Sequence, residues 1–306
     1  MILFKKIYFL VLVLVVVSAC EKEIDYKGDN LESFLVLNAA LQTDSIVTCQ
    51  VSKSRTLLDN KPIQTISDAS MELYINDELA GELVAFPNGE YRSESTVVKS
   101  GIKYELRVKY AFFKAVKAVS LVPGQAKAEV ESFKMVEVRT DEYTSEKLRL
   151  KVKVSDMSGN DYYRLKLYAP QWWYNEETGE YEFDEDSYYS LRFDSSDPVL
   201  NGNVVVVNDD FSDHPLNEYR VFDDALFEGE DYVLTFDVDG YDLETASKMK
   251  IDLQKISYDL YLYYKTLDAY NYYEDSPFSE PVRIHSNVSN GAGVVGSFTS
   301  NWLTIE

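Results

Sequence analysis

The sequence predicts a mainly β protein: an N-terminal immunoglobulin-like β-sandwich followed by a second β-rich domain with one amphipathic helix near the C-terminus. Two observations predict this fold class. Apolar residues recur at every second position along most of the chain, as they do in half-buried strands. Between residues 256 and 270 the apolar period changes to that of an α-helix. An apolar content of 45% is enough for packed cores and excludes wholesale disorder.

The first residues have the layout of a bacterial secretory signal. Lys5 and Lys6 precede an apolar run at positions 7–17, which is shorter than the roughly 20 residues needed to span a bilayer. Two small residues directly precede Cys20, as a lipoprotein-processing enzyme requires when it acylates a thiol. We predict that residues 1–19 are a signal peptide and that Cys20 is lipidated. The alternative is a plain secretory signal with a coincidental cysteine.

Residues 20–32 are polar and charged, and they are predicted to form a flexible tether. Within them, Glu21, Glu23 and Asp25 resemble the charged export signals that send lipoproteins of the Bacteroidota to the outer face of the outer membrane. The alternative is that these carboxylates only solvate the tether.

The chain is strongly acidic. It has 30 Lys and Arg residues against 52 Asp and Glu, a formal net charge of -22. Loss of Lys5 and Lys6 with the signal peptide leaves 28 basic residues and a charge of -24. A surface of this sign repels phosphate groups, so we expect no nucleic-acid partner and no peripheral binding to anionic lipid without the acyl chains. The acidity is typical of a soluble surface, and attraction of cations or basic ligands is the alternative.

The predicted sandwich covers residues 33–123. Positions 71–75 and 103–110 alternate between apolar and polar residues, and positions 34–41 are predicted to form a fully apolar strand. Glycine-containing turns separate these runs, and about six short strands in such a segment are typical of an immunoglobulin-like fold. Pro123 is followed by a glycine and cannot donate to a central ladder, which places the domain boundary there.

The second cysteine of the chain, Cys49, lies on one face of a predicted strand with Val47 and Val51. It has no partner once Cys20 is acylated. We therefore expect a buried free thiol, and neither a disulfide, a nucleophile nor a metal ligand.

The second predicted domain covers residues 124–306. Positions 147–154 and 163–167 alternate on either side of a glycine turn, which predicts a hairpin, and further strands are predicted at 231–238 and 249–253. One helical stripe follows, and we expect it to pack against the second sheet, with partner binding as the alternative. It consists of Ile256, Leu260, Tyr263, Leu267 and Tyr270, and ends before Pro277 and Pro281.

Two motifs suggest ligands that their context does not support. Residues 291–296 match the G-x-G-x-x-G fingerprint letter for letter, but they are followed only by a short β-like segment, whereas a dinucleotide site needs a helix there. We predict instead a glycine turn that lets the last strand bend or approach another backbone. The acidic turn at 237–244 could hold calcium, but its glycine is fourth and not sixth as in an EF-hand loop, so a solvated turn is favoured.

The best candidate for binding is an aromatic segment flanked by carboxylates. Such aromatics can stack on sugars, grip a peptide or dock on a partner. The alternative is a hairpin whose tryptophans cap the second core. The candidate ligand or partner contacts are Trp172, Trp173, Tyr174, Tyr181 and Tyr188.

Catalysis has little support in the sequence. The two histidines, His214 and His285, form no metal-binding pair, and no nucleophile elbow is present. We assign no catalytic residue, no metal ligand and no cofactor, and predict a protein that is not an enzyme.

Several stretches form one ordered pattern over nearly the whole chain: the Cys20 lipobox and residues 34–38, 66–69, 89–91, 101–106, 122–123, 277–282 and 287–293. Together they resemble the Bacteroidota outer-membrane lipoprotein family known as domain of unknown function 4249 (DUF4249). One departure is Val295, which stands where that pattern leads us to expect an aromatic residue.

The resemblance implies a location and a partner, and no catalytic or ligand residues can be transferred from it. It implies a lipid-anchored protein of the outer membrane, facing the cell exterior, that accompanies a TonB-dependent transporter in nutrient uptake. The alternative is a free-standing structural or adhesive surface lipoprotein.

Overall fold

The computed structural model describes residues 33–55, 61–139, 144–201, 217–273 and 282–305. The predicted signal peptide and tether, together with Cys20, lie outside these residues. Residues Ser33–Glu306 form one compact unit. Neither helix of the described part of the chain has the length and apolar content of a membrane-spanning segment.

The described residues are mainly β-strand, which confirms the predicted class. The two helices are α1 (Leu243–Ala246) and α2 (Tyr258–Tyr273). The strands are β1 (Leu35–Gln42), β2 (Ile46–Lys53), β3 (Ser70–Ile75), β4 (Glu78–Glu82), β5 (Val84–Ala85), β6 (Glu90–Val97), β7 (Lys103–Lys109), β8 (Val116–Leu121), β9 (Lys127–Arg139), β10 (Thr144–Ser155), β11 (Tyr162–Asn175), β12 (Glu180–Leu191), β13 (Val221–Asp223), β14 (Asp231–Asp239), β15 (Lys250–Ile256) and β16 (Val295–Thr304).

Among the described residues, the strands form three sheets. The largest has the order β12-β11-β15-β16-β1-β2-β6-β5, and β13 pairs with β11 beside β12. The second sheet is β14-β10-β9, and the third is β4-β3-β7-β8. All pairings are antiparallel except that of β1 with β16, where Ala39 lies opposite Val295. This parallel pair joins the start of the described chain to its last strand.

One apolar core lies between the four-stranded sheet and the β1-β2-β6 part of the large sheet. Strand β1 contributes only its alternate residues, such as Leu35 and Leu37, so the prediction of a fully apolar strand at 34–41 is wrong. The other face of β1 is in part exposed because successive side chains of a strand point to opposite faces, and the four-stranded sheet packs on only one of them. Cys49 is a buried free thiol in this core, as predicted, and burial raises its pKa to about 12.

The other core lies between the three-stranded sheet and the β11-β15-β16 part of the large sheet. The predicted hairpin of residues 147–154 with 163–167 is wrong. Strand β10 pairs with β9 and β14, whereas β11 pairs with β12, β13 and β15. The chain crosses between sheets after β10, so Leu150 and Leu165 belong to opposite walls of one core.

Strand β16 connects the two cores. Its first residue, Val295, belongs to the first core, while Ile305, just after its end, belongs to the second. The division at residue 123 and the immunoglobulin-like arrangement stay predictions, since the large sheet runs through both parts of the chain.

The glycine motif brings the backbone before β16 against β1. The amide of Leu37 donates to the carbonyl of Ala292 at 2.9 Å, and the amide of Ala292 donates to the carbonyl of Leu35 at 3.1 Å. A Cβ on Gly291 would overlap the carbonyl of Leu35, and one on Gly293 would overlap that of Leu37. The predicted role of a close approach to another backbone is confirmed.

Helix α2 packs on the outer face of the large sheet, with Leu260 and Tyr261 on Ile256 and Phe298. We predicted packing on a sheet of the second domain, and the helix does contact β15 and β16 from that part of the chain, but the sheet is shared with the first part. The predicted stripe is only partly right. Ile256 lies in β15, Tyr270 is 37% exposed, and Asp268 is buried.

Candidate binding surface

The outer parts of β11 and β12 form an aromatic hairpin, defined here as residues 171–184. A bulge after Pro170 shifts the register, and beyond it Trp172 lies opposite Phe183 and Tyr174 opposite Tyr181. Cross-strand partners share a face of a sheet, so these four rings lie on the same side of the hairpin.

The four rings differ in how they are held. Trp172 and Phe183 pack with centroids 5.7 Å apart, and the Lys248 ammonium lies 4.9 Å from the centroid of Trp172. Tyr174 and Tyr181 meet edge to face at 5.2 Å and are 52% and 71% exposed. The base of this face is therefore packed against the body, while its tip is open to solvent.

The opposite face of the hairpin carries Trp173, which is 47% exposed and lies opposite Glu182. The carboxylate of Glu182 accepts a hydrogen bond from the side-chain amide of Asn175 at 2.7 Å. Neither Trp173 nor Trp172 belongs to an apolar core of the described residues.

Tyr188 lies apart from these residues, before the bulge and opposite Pro170. Its ring is 3.8 Å from the ammonium of Lys250. The structure thus places four of the five predicted aromatic residues on the aromatic hairpin. The fifth, Tyr188, lies further along the same strand, β12, outside the hairpin.

An aromatic pair that the sequence reasoning did not identify lies on the outer face of the large sheet. Tyr168 and Trp302 come from strands on either side of β15, and their ring centroids are 5.4 Å apart. Trp302 is exposed. Trp302 could have been found from the sequence, because it is an aromatic residue on the polar side of an alternating strand.

A cavity of about 810 Å³ opens beside β11. It lies where the strand paired with this side of β11 changes from β12 to β13. Although the chain has a net charge of -22, four basic residues line this cavity, against three acidic ones. These are Arg164, Lys166, Arg192 and Arg220, and Asp194, Glu218 and Asp268.

The three carboxylates of the cavity already have partners. Asp194 accepts from the ammonium of Lys147 at 2.9 Å, and Glu218 accepts from the guanidinium of Arg192 at 2.9 Å. Asp268 accepts from the backbone amide of Glu218 at 3.1 Å. Among the described residues, Arg164, Lys166 and Arg220 therefore form no ion pair with these three carboxylates.

Two of the cations are held in fixed positions. Arg164 donates to the hydroxyl of Tyr264 at 2.9 Å and to the carbonyl of Tyr219 at 3.2 Å. Arg220 has a left-handed φ of 52°, and its Nη2 donates to the carbonyl of Phe193. Its Nη1 is buried without a hydrogen-bond partner in the described part of the chain. Burial lowers the pKa of Arg220, and an anionic oxygen is the group that an orphaned guanidinium N–H binds best.

A buried acid lies beside the cavity. Asp252 is 1% exposed and lies opposite Lys166 on β11 and Trp302 on β16. Its Oδ2 accepts from Gln254 at 2.6 Å, whereas Oδ1 is buried without a partner among the described residues. Burial raises the pKa of this carboxyl group.

The acidic turn at 237–244 uses its carboxylates separately. Asp237 binds Arg149 through both oxygens, each at 2.7 Å, and Asp239 accepts from Lys147 at 3.1 Å. Asp242 caps α1 by accepting from the amide of Thr245. Three carboxylates of the turn therefore have three different partners.

Among the described residues, one other group of carboxylates could approach a metal: Asp156, Asp161 and Asp224, with oxygens within 4.8 Å of one another. The buried ammonium of Lys255 is bonded to Asp161, so a cation is already present there. His285 is paired with Asp259 at 2.9 Å, and His214 lies outside the described residues.

Three comparisons relate this chain to known proteins. The family model described as "Domain of unknown function (DUF4249)" matches residues 21–302. No curated protein matches the chain. Among solved structures, the chain is similar to a Corynebacterium diphtheriae protein described as a "Putative membrane anchored protein", at 10% identity and a TM-score of 0.20. That alignment covers 86% of this chain and 59% of the other, so the chain spans less than two thirds of the length of that protein.

Proposed function

Because this chain belongs to the DUF4249 family, we propose that it is a lipid-anchored, non-enzymatic protein of the outer membrane. In this proposal it faces the cell exterior and accompanies a TonB-dependent transporter in nutrient uptake. The lipobox at Cys20 and the resemblance to Bacteroidota lipoproteins support the anchor and the location. The aromatic hairpin supports the role as a binding partner.

The observation that carries the proposal is the exposure of Trp173, Tyr174 and Tyr181 on a hairpin outside both main cores. Tyrosine and tryptophan provide large contact areas with few rotatable bonds, and they are enriched where interfaces bind most tightly. Rings of this kind on two faces of one hairpin suit insertion between surfaces of a larger partner.

The cationic cavity suits a small ligand that carries a carboxylate or phosphate group. Arg164 is preorganised by Tyr264 and Tyr219, and Arg220 offers a buried N–H that has no partner in the described part of the chain. Low dielectric surroundings strengthen a charge-assisted hydrogen bond at such a site. The ligand would then be an anionic nutrient or a fragment of one.

The experiment that tests this function is a detergent pull-down of the tagged, lipidated protein from its native outer membrane, followed by mass spectrometry. Recovery of one TonB-dependent barrel in near-equal amount supports the proposal. Recovery of the lipoprotein alone would contradict it and favour the alternative, a free-standing structural or adhesive surface protein.

The anchor is tested separately. Cys20→Ser should move the protein from the detergent-rich phase to the aqueous phase on phase separation of a membrane extract. A variant that stays in the detergent-rich phase would exclude Cys20 as the anchor.

A further inference from the structure

Phe112 has the most exposed large apolar side chain of the described residues, at 106% of the reference exposure. It lies in the loop between β7 and β8, after Ala111 with its left-handed φ of 40°. The rings of Tyr110 and Phe113 on either side stack 5.9 Å apart and pack against the first core. The loop is therefore held in place while Phe112 projects into solvent.

This loop lies at the end of the body where the described chain begins. Gly291 packs against both the carbonyl of Leu35 and the side chain of Val116, the first residue after the loop. Lys53, which is the β2 partner of Leu35, places its ammonium 5.9 Å from the centroid of Phe113. The loop and the start of β1 are thus neighbours.

Exposed apolar side chains accompany Phe112 at this end. Phe34, directly before β1, is exposed and hydrogen-bonded to Ser54. Ile63 is also exposed and lies beside Gln64, whose carbonyl accepts from the amide of Lys53.

Three described segments beside Phe112 and the start of β1 have a charge opposite to that of the whole chain. Residues 53–55, 61–72 and 109–117 contain two acidic residues, Asp68 and Glu72, and the second is paired with a lysine of the same set. The six basic residues of these segments are Lys53, Arg55, Lys61, Lys109, Lys114 and Lys117.

The chain length before this end is short. From Cys20 to Ser33 there are 13 residue steps, and a fully extended chain of that length spans at most about 45 Å. A lipid attached at Cys20 would therefore keep the start of β1 within about 45 Å of the membrane surface.

We propose that this end of the body, defined by Phe112, Phe34 and the six basic residues, faces the membrane and contacts an anionic lipid surface. Phe112 enters the interfacial region, where an aromatic ring is favoured, and the ammonium groups of Lys114 and Lys117 approach headgroup phosphates while their stems cover apolar surface. The inference rests on the proposed lipid anchor at Cys20. Because the rest of the protein is acidic, repulsion from the same surface keeps the other end away.

The test uses the lipidated full-length protein in vesicles of phosphatidylcholine with one fifth phosphatidylglycerol. Phe112→Cys is labelled with an environment-sensitive fluorophore, since Cys49 is buried and Cys20 is acylated. The matched control is Leu79→Cys, a position 60% exposed near the opposite end of the same four-stranded sheet.

Spin-labelled lipid should quench the fluorophore at position 112 at least three times more strongly than at position 79. The difference should shrink when Lys114→Glu and Lys117→Glu are introduced. Equal quenching at both positions, in protein that floats with the vesicles, would overturn the orientation and leave the anchor intact. Failure of the unlabelled protein to float would overturn the anchor, and the inference with it.

Discussion

Lys248 places its ammonium 4.9 Å from the ring centroid of Trp172 and 4.3 Å from that of Phe183. Lys248 lies two residues after the end of α1, so this contact ties the base of the aromatic hairpin to the body. Trp173, the residue after Trp172, has no cation–π contact within the described part of the chain and is 47% exposed. Of the two adjacent tryptophans, Trp172 is therefore packed against the body and Trp173 is exposed to solvent.

This difference predicts opposite effects of two alanine substitutions. Trp172→Ala should lower the free energy of unfolding by about 2 kcal/mol, because it removes a packed ring and a cation–π contact. Trp173→Ala should change it by less than about 0.5 kcal/mol, as expected for a surface residue. Urea unfolding of both variants measures the difference, and equal losses would show that the hairpin is packed on both faces.

The glycine motif gives a second prediction. Gly293 has a φ of 111°, and an added Cβ would overlap the carbonyl of Leu37 and lie 2.8 Å from Oδ1 of Asn38. Gly293→Ala should therefore lower the free energy of unfolding by about 2 kcal/mol or more. The control is Gly124→Ala, where a Cβ would meet open space. Similar stability of both variants in urea would exclude the close approach as the reason for the glycine.

The alternating periods of the sequence predicted strand positions well, because each sheet of this fold has one face on a core. They did not predict partners. Residues 147–154 and 163–167 have the pattern of a hairpin, yet they line opposite walls of one core, since alternation records which face is buried and not which strand is adjacent. The same limit applies to the parallel pairing of β1 with β16, whose residues are far apart in sequence.

The aromatic hairpin could be found from sequence because its residues are contiguous. The cationic cavity could not, because Arg164, Arg192 and Arg220 come from three separate segments and only pairing of β11 with β12 and β13 brings them together. The end that carries Phe112 was not identified from the sequence either. Its basic residues come from separate segments, and the net charge of the chain, -22, gives no indication of them.

The third prediction concerns pH. An aspartate in an unfolded chain has a pKa of about 3.9, and burial raises the pKa of Asp252 above its ordinary value in the folded state. The folded protein thus keeps this proton to a higher pH than the unfolded chain, so ionisation of Asp252 destabilises the fold as pH rises through its folded pKa.

Asp252→Asn should therefore melt at a higher temperature than the wild type at pH 7, and the advantage should vanish as pH falls towards 4. Asp77→Asn is the control, since Asp77 is an exposed turn residue. Melting curves between pH 4 and 8 measure the effect. A variant less stable than the wild type at pH 7 would show that the carboxylate is stabilised by its surroundings.

The fourth prediction concerns the cationic cavity. Inorganic phosphate and succinate, compared with chloride at equal ionic strength, should raise the melting temperature of the wild-type protein. Arg164→Gln and Arg220→Gln should each weaken phosphate binding at least tenfold in calorimetric titrations, since each removes a cation that lines the cavity and is held in position there. Arg139→Gln, an exposed residue paired with Glu137, should bind like the wild type. Equal binding by all variants would place the anion elsewhere.

Our central proposal is that the aromatic hairpin holds this protein to a TonB-dependent transporter, and quantitative co-purification from native outer membranes tests it most directly. The proteins compared are the wild type, the Trp173→Ala/Tyr181→Ala variant and Phe86→Ala, which removes an exposed aromatic residue elsewhere. We predict that wild type and Phe86→Ala recover one TonB-dependent barrel in near-equal amount and that the hairpin variant recovers less than a tenth as much. Recovery of the barrel by all three, or by none, would contradict the claim.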